Sequence, residues 1–389
     1  MARRPTIKDI ARRAGVSESA VSFALNGRPG VSEETRARVR RVAEELGWRP
    51  NSAARALSGE RSGAVGLVLA RPAHTLGAEA FFLRLVSGVQ EALSAAGTAL
   101  LFQVVEDVEA ECAVYRRWWA ERRVDGVLVV DPRTTDPRPA LLTRLGLPAV
   151  VIGGGAGGAG TADPGPGAGH GPGPDGPAEA AGGGRDAGEA QGGRDAGDAD
   201  AAGRPVLAAV RADDARAMTE VLDHLHGLGH RRIVHIAGLP GLAHTARRIE
   251  ALRAGAARLG IPPGRVRSVP TDYSDAEGAA ATRRVLAEPE PPTALVYDND
   301  VMAVAGSAVA AGLGIPVPGR LSIVAWDDSA LCRVTHPPLT ALVRDTAGFG
   351  RLAAEELLSV LAGAPPRVRE SELPRLEPRG STAPPPAAY

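Results

Sequence analysis

The stretch that most constrains this chain is residues 6–59, TIKDIARRAGVSESAVSFALNGRPGVSEETRARVRRVAEELGWRPNSAARALSG, where apolar residues recur at helical spacing three times in quick succession. Ile7, Ile10, Ala11 and Ala14 fall on one face of a first helix, with Lys8, Arg12 and Arg13 on the other, Thr6 at the N-cap and Gly15 as a stop. Ser17 caps a second helix that turns Val21, Ala24 and Leu25 inward and ends at Asn26-Gly27. A third, opened by Ser32 with Glu33 and Glu34 in its first turn, buries Val39, Val42, Ala43 and Leu46 and closes at Gly47. Two short helices joined by a glycine-containing turn and braced by a third make a helix-turn-helix. Charge agrees: residues 1–61 hold 13 Lys and Arg against 7 Asp and Glu, whereas the whole chain is formally neutral. Such a concentrated positive end suits a module that binds duplex through its phosphates.

This run resembles the headpiece of the LacI/GalR family of bacterial transcriptional regulators, through TIKDIARRAGVSESAVSFALNG and RPNSAARALSG. The resemblance implies that the second helix enters the major groove and that Glu18, Ser19 and Phe23 read bases. It also implies that Thr6, Ser22, Asn26, Ser32 and Thr35 touch phosphates, which set register without reading sequence. Many members carry Arg where this chain has Phe23, so a bidentate guanine contact is lost and Phe23 is left to meet a thymine methyl or to pack. Asn51 or Ser52 can cap a helix through Ala53 and Leu57, but it is far shorter than the ~12–15 residues an isolated helix needs in water. In the family, such hinge helices pair over the minor groove. By that likeness Leu57 is the wedge at the central base step, and Ala54 and Arg55 line the groove.

At 389 residues the chain has room for this module and a larger body. Its two cysteines suit a reducing compartment, its N-terminus is polar rather than signal-like, and no apolar run reaches the ~18–20 residues that span a bilayer. A cytoplasmic protein without membrane or cofactor is the expectation. From residue 61, strand candidates at 64–70, 99–105, 124–130, 148–153, 206–211, 232–238, 293–299, 321–328 and 339–345 alternate with amphipathic segments. That alternation means parallel α/β layers, and their number exceeds one comfortable core, so two subdomains are expected.

GHRRIVHIAG, PPTALVYDND, LSIVAWDD and HPPLTALVRD make the body similar to the family's effector domain, which has the periplasmic-binding-protein type I fold. The expected organisation is a headpiece at 1–48, a hinge at 49–60 and a body at 61–363. Its first subdomain comprises 61–210 and 342–363, its second 211–341 and 364–380, and 381–389 is a flexible tail. Ligands of open α/β sheets collect beyond the carboxyl ends of strands. Asn299 and Asp300 stand just past one such strand, Asp327 and Asp328 past another. The likeness implies that Arg248 supplies a guanidinium, Tyr273 an aromatic face, and Asn299 and Asp327 paired hydrogen bonds to a small molecule, a sugar by family analogy. Phe81 and Phe82 stand at the cleft mouth on the same likeness, or else in the core. Asp300 and Asp328 read better as helix or turn caps. Gly153 replaces a pocket carboxylate of some sugar-responsive members and Ala251 a common glycine, which keeps nucleosides, purines and other non-sugar ligands open.

Residues 153–205 are rich in Gly, Ala and Pro and nearly devoid of large apolar side chains, the composition of a disordered insertion. The tail lacks a leucine heptad, so a homodimer on a pseudopalindromic operator is expected rather than a tetramer. The leading reading is a ligand-controlled DNA-binding repressor. A solute-binding protein would share the body but require an export signal and have no use for residues 1–60. No nucleophile–base pair or metal spacing argues for an enzyme; His224, His226 and His230 lack Cys partners and read as a helix face.

Overall fold

The computed structural model describes residues 5–48, 61–71, 80–154 and 207–386. The chain divides into two units, Met1–Gly63 and Ala64–Tyr389. The expected hinge, with Ala54, Arg55 and Leu57, lies outside the described residues, as does the expected insertion from residue 155 onward.

The first unit holds α1 (Ile7–Ala14), α2 (Glu18–Leu25) and α3 (Glu33–Glu45). Ile10, Ala11, Ala14, Val21, Ala24, Val39, Val42 and Ala43 form its buried centre, with Trp48 packed at the edge. The caps are made locally. Ser17 accepts from the Ala20 amide and Ser32 from the Thr35 amide, and Asp9 reaches back to the Thr6 amide at 2.9 Å.

The second unit is two lobes. The first carries β1 (Ala64–Ala70), α4 (Ala80–Ala95), β2 (Ala99–Val105), α5 (Val108–Ala120), β3 (Gly126–Val129), α6 (Arg138–Leu145), β4 (Ala149–Ile152) and β5 (Ala208–Arg211). The chain then builds most of the second: α7 (Asp214–Gly227), β6 (Ile233–Ala237), α8 (Ala243–Arg258), β7 (Val266–Pro270) and α9 (Asp275–Leu286), followed by β8 (Ala294–Tyr297), α10 (Asp300–Gly312), β9 (Ser322–Trp326), α11 (Ala330–Val334) and β10 (Thr340–Val343). It returns to the first lobe for α12 (Thr346–Leu361) and β11 (Val368–Glu370), and finishes in the second with β12 (Arg375–Glu377).

The strand order is β11-β5-β4-β3-β1-β2 in the first sheet and β12-β10-β9-β8-β6-β7 in the second. Every pairing is parallel except β12 on β10. Strand alternation divides the cores: Val65, Leu67 and Leu69 face α4 and α12, while Val68 faces α5 and α6. Helices α4 and α12 approach backbone to backbone, since a Cβ on Gly88 would strike the Ala347 carbonyl and one on Gly350 the Leu85 carbonyl.

Five expectations need correction. The chain re-enters the first lobe at 344–345, after β10 has paired with β9, rather than at 342. Residues 364–380 are shared between lobes, because β11 pairs with β5 and only β12 joins the second sheet. Gly153 and Gly154, counted with the insertion, belong to the end of β4, where the Gly153 amide donates to the Val210 carbonyl at 2.7 Å. The tail is docked over 381–386. Fully buried Ser381 accepts from the Thr340 amide at 2.8 Å and donates to the Ile323 carbonyl at 2.6 Å. His230 sits beyond α7 rather than on its face, 1% exposed, with Nδ1 on Thr293 and Nε2 facing Ser322 and the Ala383 carbonyl.

Candidate functional site: a reading helix and a two-lobed cleft

On α2, Glu18 and Ser22, and Ser19 and Phe23, are pairs four residues apart, so the four side chains share one face. Glu18, Ser19 and Phe23 are exposed, and Phe23 keeps 37% of its surface in solvent although Val21 and Ala24 beside it are fully buried. Thr6, Asn26 and Ser32 are exposed and Ser22 and Thr35 half-buried. The residue that sequence reasoning missed is Arg36. Only 9% exposed, it donates to the carbonyls of Phe23 at 3.3 Å, Ala24 at 3.2 Å and Arg28 at 3.1 Å. A cation on the Phe23 and Ala24 carbonyls in the last turn of α2, and on the Arg28 carbonyl beyond it, complements the helix dipole and ties the turn to α3. It thereby holds the reading helix in place.

In the body, the expected effector residues Phe82, Arg248, Tyr273, Asn299 and Asp327 line one cleft between the lobes, with Phe81 and Gly153 beside them. The cleft encloses about 700 Å³ including its open mouth. Backbone hydrogen bonds from Thr134 to the Gly241 carbonyl (2.9 Å) and from Ala243 to the Pro132 carbonyl (2.8 Å) tie its walls together. Arg247 spans the lobes too, donating to the Gly153 carbonyl at 2.9 Å and to Asp214 at 2.6 Å.

Three of the expected residues are occupied in ways their sequence positions did not reveal. Arg248, 3% exposed, donates to Asp214 at 3.1 Å and to Asp298 at 3.0 Å, with its guanidinium 3.8 Å from the centre of the Trp326 ring. Asn299 caps α10 through the Met302 amide at 2.8 Å and donates to the Tyr273 carbonyl at 3.0 Å. Asn299, not Asp300, is therefore the cap. Asp327 pairs with Arg344 at 2.6 and 3.0 Å, and Arg344 lies 4.5 Å from the centre of the Phe81 ring. Asp328 ties down Arg333 and Arg379.

Arg71, Asp131, Asp214, His244 and Arg344 also line the cleft and were not singled out from the sequence; Asp300, read there as a cap, lines it too. Among the described residues, four other than glycine adopt positive φ, and three of them, Asp131 (+51°), Tyr273 (+73°) and Asp327 (+68°), line this cleft. Backbone strain kept at one place and held by its surroundings marks a functional site. The hydroxyl end of the Tyr273 ring lies against Gly238, where any Cβ would collide with it.

Electrostatically the cleft's guanidiniums are closed in pairs with carboxylates, while the buried carboxyl of Asp300, also in the lining, is pushed up by burial. Burial is the largest influence on Asp298 and acts against its ionisation. His235, Arg248 and the Gly238 amide nonetheless hold the carboxyl far below the usual range. His244 is pushed down to about 4, by burial first and by the Arg248 charge second, and its Nε2 lies 2.8 Å from the Tyr273 hydroxyl. Burial likewise drives His230 down to about 4. Both histidines are neutral in the folded protein at pH 7, while the unfolded chain protonates them near pH 6.5. Their contribution to stability is therefore complete above about pH 6.5 and is lost as pH falls toward 4. Thermal unfolding recorded from pH 7 to 4.5 should show a falling midpoint, with His244 adding up to ~1.4 kcal/mol per pH unit. A His244→Gln variant should flatten that slope; a flat wild-type profile would contradict the assignment.

A helix-turn-helix unit joined to a two-lobed α/β body with a polar, aromatic-walled cleft defines a ligand-responsive DNA-binding protein. Comparison with known proteins agrees. Residues 6–51 match the model for bacterial regulatory proteins of the lacI family, and residues 222–382 the periplasmic binding protein-like domain. The chain is 29% identical over 364 residues to the HTH-type transcriptional regulator CelR of Thermobifida fusca, covering 93% of each. It superimposes on a LacI family transcriptional regulator from Bifidobacterium animalis with a TM-score of 0.66, at 30% identity, covering 84% of this chain and 100% of the other. It also superimposes on a CelR–cellobiose complex with a TM-score of 0.65, at 26% identity, covering 97% and 100%.

The chain belongs to the LacI family. It is a DNA-binding transcriptional regulator whose operator affinity is controlled by a small molecule, and not an enzyme. Among the described residues no helix is long and apolar enough to cross a membrane.

Proposed function

We propose that this regulator is a cytoplasmic, homodimeric repressor of a pseudopalindromic operator, and that its effector is a neutral carbohydrate held in the cleft. The observation that carries the ligand class is the pairing of the cleft's guanidiniums. Arg71 is matched by Asp131, Arg248 by Asp214 and Asp298, and Arg344 by Asp327. A site whose cations are already neutralised favours a polar, uncharged ligand over a phosphate or carboxylate. The rings of Phe82 and Tyr273 suit the apolar face of a sugar, and the Asp327 and Asp131 carboxylates suit hydroxyls. A relative of similar fold was solved with cellobiose, which supports the same class.

On the DNA side, we assign base reading to Glu18, Ser19 and Phe23 and phosphate contacts to Thr6, Ser22, Asn26, Ser32 and Thr35. Leu57, with Ala54 and Arg55, is assigned to the minor groove. The effector acts by changing how the first lobes of the two subunits face each other, and so whether the hinge segments pair.

The test is a thermal-shift screen of the full-length protein against cellobiose, ribose, galacturonate and purine bases, followed by operator release measured by fluorescence anisotropy. A neutral sugar at a hundred times its Kd should add ~2.7 kcal/mol, a rise of several degrees. Stabilisation by galacturonate or purines alone would overturn the carbohydrate reading.

A further inference from the structure

The cleft holds one arrangement that the pairing argument does not explain. Arg71, 4% exposed, stands just past β1 in the first lobe, its guanidinium carbon 5.0 Å from the centre of the Phe82 ring and 4.9 Å from the centre of the Tyr273 ring. Phe82 is on α4 of the same lobe; Tyr273 follows β7 in the other. The stack of ring, guanidinium and ring therefore runs from one wall of the cleft to the other. We propose that Arg71 is an internal latch, which holds the lobes together in the absence of effector by occupying the aromatic faces that an effector ring must take.

Both anchors of the latch are rigidly built. Its near end is the 2.7 Å ion pair from Arg71 Nε to Asp131. Asp131 is kept at φ +51° by Arg138, which donates to the Asp131 carbonyl at 2.8 Å and to the Val130 carbonyl at 2.9 Å. Arg138 is itself 1% exposed and locked to Glu111 and Asp136. At the far end, Tyr273 is fixed by His244 at its hydroxyl, Asn299 at its carbonyl and Gly238 against the hydroxyl end of its ring. Two strained residues, each over-determined by buried partners, present one cation to one ring across a domain boundary. A desolvated cation over an aromatic face is among the stronger uses of this contact. An effector that must displace it binds less tightly than its contacts alone would give, because the competent cleft is only a fraction of the population.

This inference rests on the cleft being the effector site, but its test needs no effector. The cross-lobe amides of Thr134 and Ala243 exchange with solvent when the lobes part, whereas the Val127 amide, bonded to the Pro148 carbonyl within the first lobe, does not depend on that motion. Hydrogen exchange by mass spectrometry on the full-length, effector-free protein should show the peptides carrying Thr134 and Ala243 exchanging roughly 10- to 30-fold faster in Arg71→Ala. The peptide carrying Val127 should be unchanged. Tyr273→Leu, which leaves the first lobe intact, should produce the same pattern, and the double variant no more than either alone. Unaltered exchange at Thr134 and Ala243 in both single variants would overturn the latch, as would equal acceleration at Val127. With cellobiose as the probe, Arg71→Ala should bind about tenfold more tightly than the wild type; weaker binding would make Arg71 a ligand contact and overturn the latch. Absence of cellobiose binding in every variant bears on the carbohydrate reading alone, and the exchange rates then decide the latch.

Discussion

Arg248→Ala is expected to destabilise the body by about 3–5 kcal/mol, the loss seen when one partner of a buried ion pair is removed. The reason is local. Asp298 is 2% exposed and Asp214 4%, both accept from this one guanidinium, and without it Asp214 is left to Arg247, and Asp298 to His235 and the Gly238 amide, in a nearly dry wall. Trp326 loses the group stacked on its ring as well. Denaturant unfolding should show a lowered midpoint with an unchanged slope. Arg248→Lys should recover only part of the loss, because an ammonium has no planar fork to span two carboxylates. A cost under 1 kcal/mol for the alanine variant would mean that Arg247 for Asp214, and His235 and the Gly238 amide for Asp298, are compensation enough. An effector-blind phenotype in Arg248→Ala would thus report lost lobe architecture. Asp327→Asn, at a half-buried pair on the cleft wall, is the cleaner probe of ligand contact.

The second large effect is expected in the headpiece. Arg36→Ala removes three hydrogen bonds from a charged donor, two to the last turn of α2 and one to the Arg28 carbonyl after it, and charged hydrogen bonds are worth ~1.5–3 kcal/mol each before relaxation. A folded unit of this size has only about 0.05–0.15 kcal/mol per residue to lose. Operator affinity should fall at least a hundredfold although Arg36 is assigned no contact with DNA. Circular dichroism of the isolated residues 1–63 should show reduced helix if that fragment folds, and the full-length protein should lose its headpiece transition while the body transition stays. Phe23→Ala makes the contrast: the helices should persist and only base preference change. Retention of operator binding in Arg36→Ala would show that α2 is held by packing alone.

How far these features were legible in the sequence differs between the two units. The headpiece helices end within a residue or two of their expected limits, because Ser17, Ser32 and Gly15 act on their immediate neighbours. Their signals are carried by adjacent side chains. The central strands were legible for a similar reason: a strand buried on both faces reads as a continuous apolar run. Of the edge strands, β2 was legible at 99–105, but the other three were not: β7 is VRSVP, half-buried over Val266–Val269 with Pro270 exposed, and β11 and β12 are three residues each, so their assignment comes from the neighbour they pair with.

The cleft was legible as a set of positions but not as chemistry. Asn299 and Asp327 stand past strand ends, where a parallel sheet gathers ligands, and both do line the cleft. Nothing along the chain says that Asn299 is spent on the Met302 amide and the Tyr273 carbonyl, or that Arg248 is spent on Asp214 and Asp298. Arg71 shows the same gap. Its partners Asp131 and Tyr273 are distant in sequence; the pairing of β1 with β3 brings Asp131 to it within the first lobe, and only the packing of the two lobes brings Tyr273.

By itself, then, the order of residues determined where helices begin, which runs become inner strands, that one end carries excess positive charge, and that a small reader precedes a two-lobed body. Those properties depend on neighbours within a few positions and on the periodicity with which apolar groups recur. Only the tertiary structure decided which guanidinium meets which carboxylate, where the chain recrosses between lobes, and that residues 381–386 are bound rather than free. Each of those outcomes turns on a buried polar group finding its partner. That partner is chosen by the three-dimensional packing of the lobes, in which residues hundreds of positions apart become adjacent.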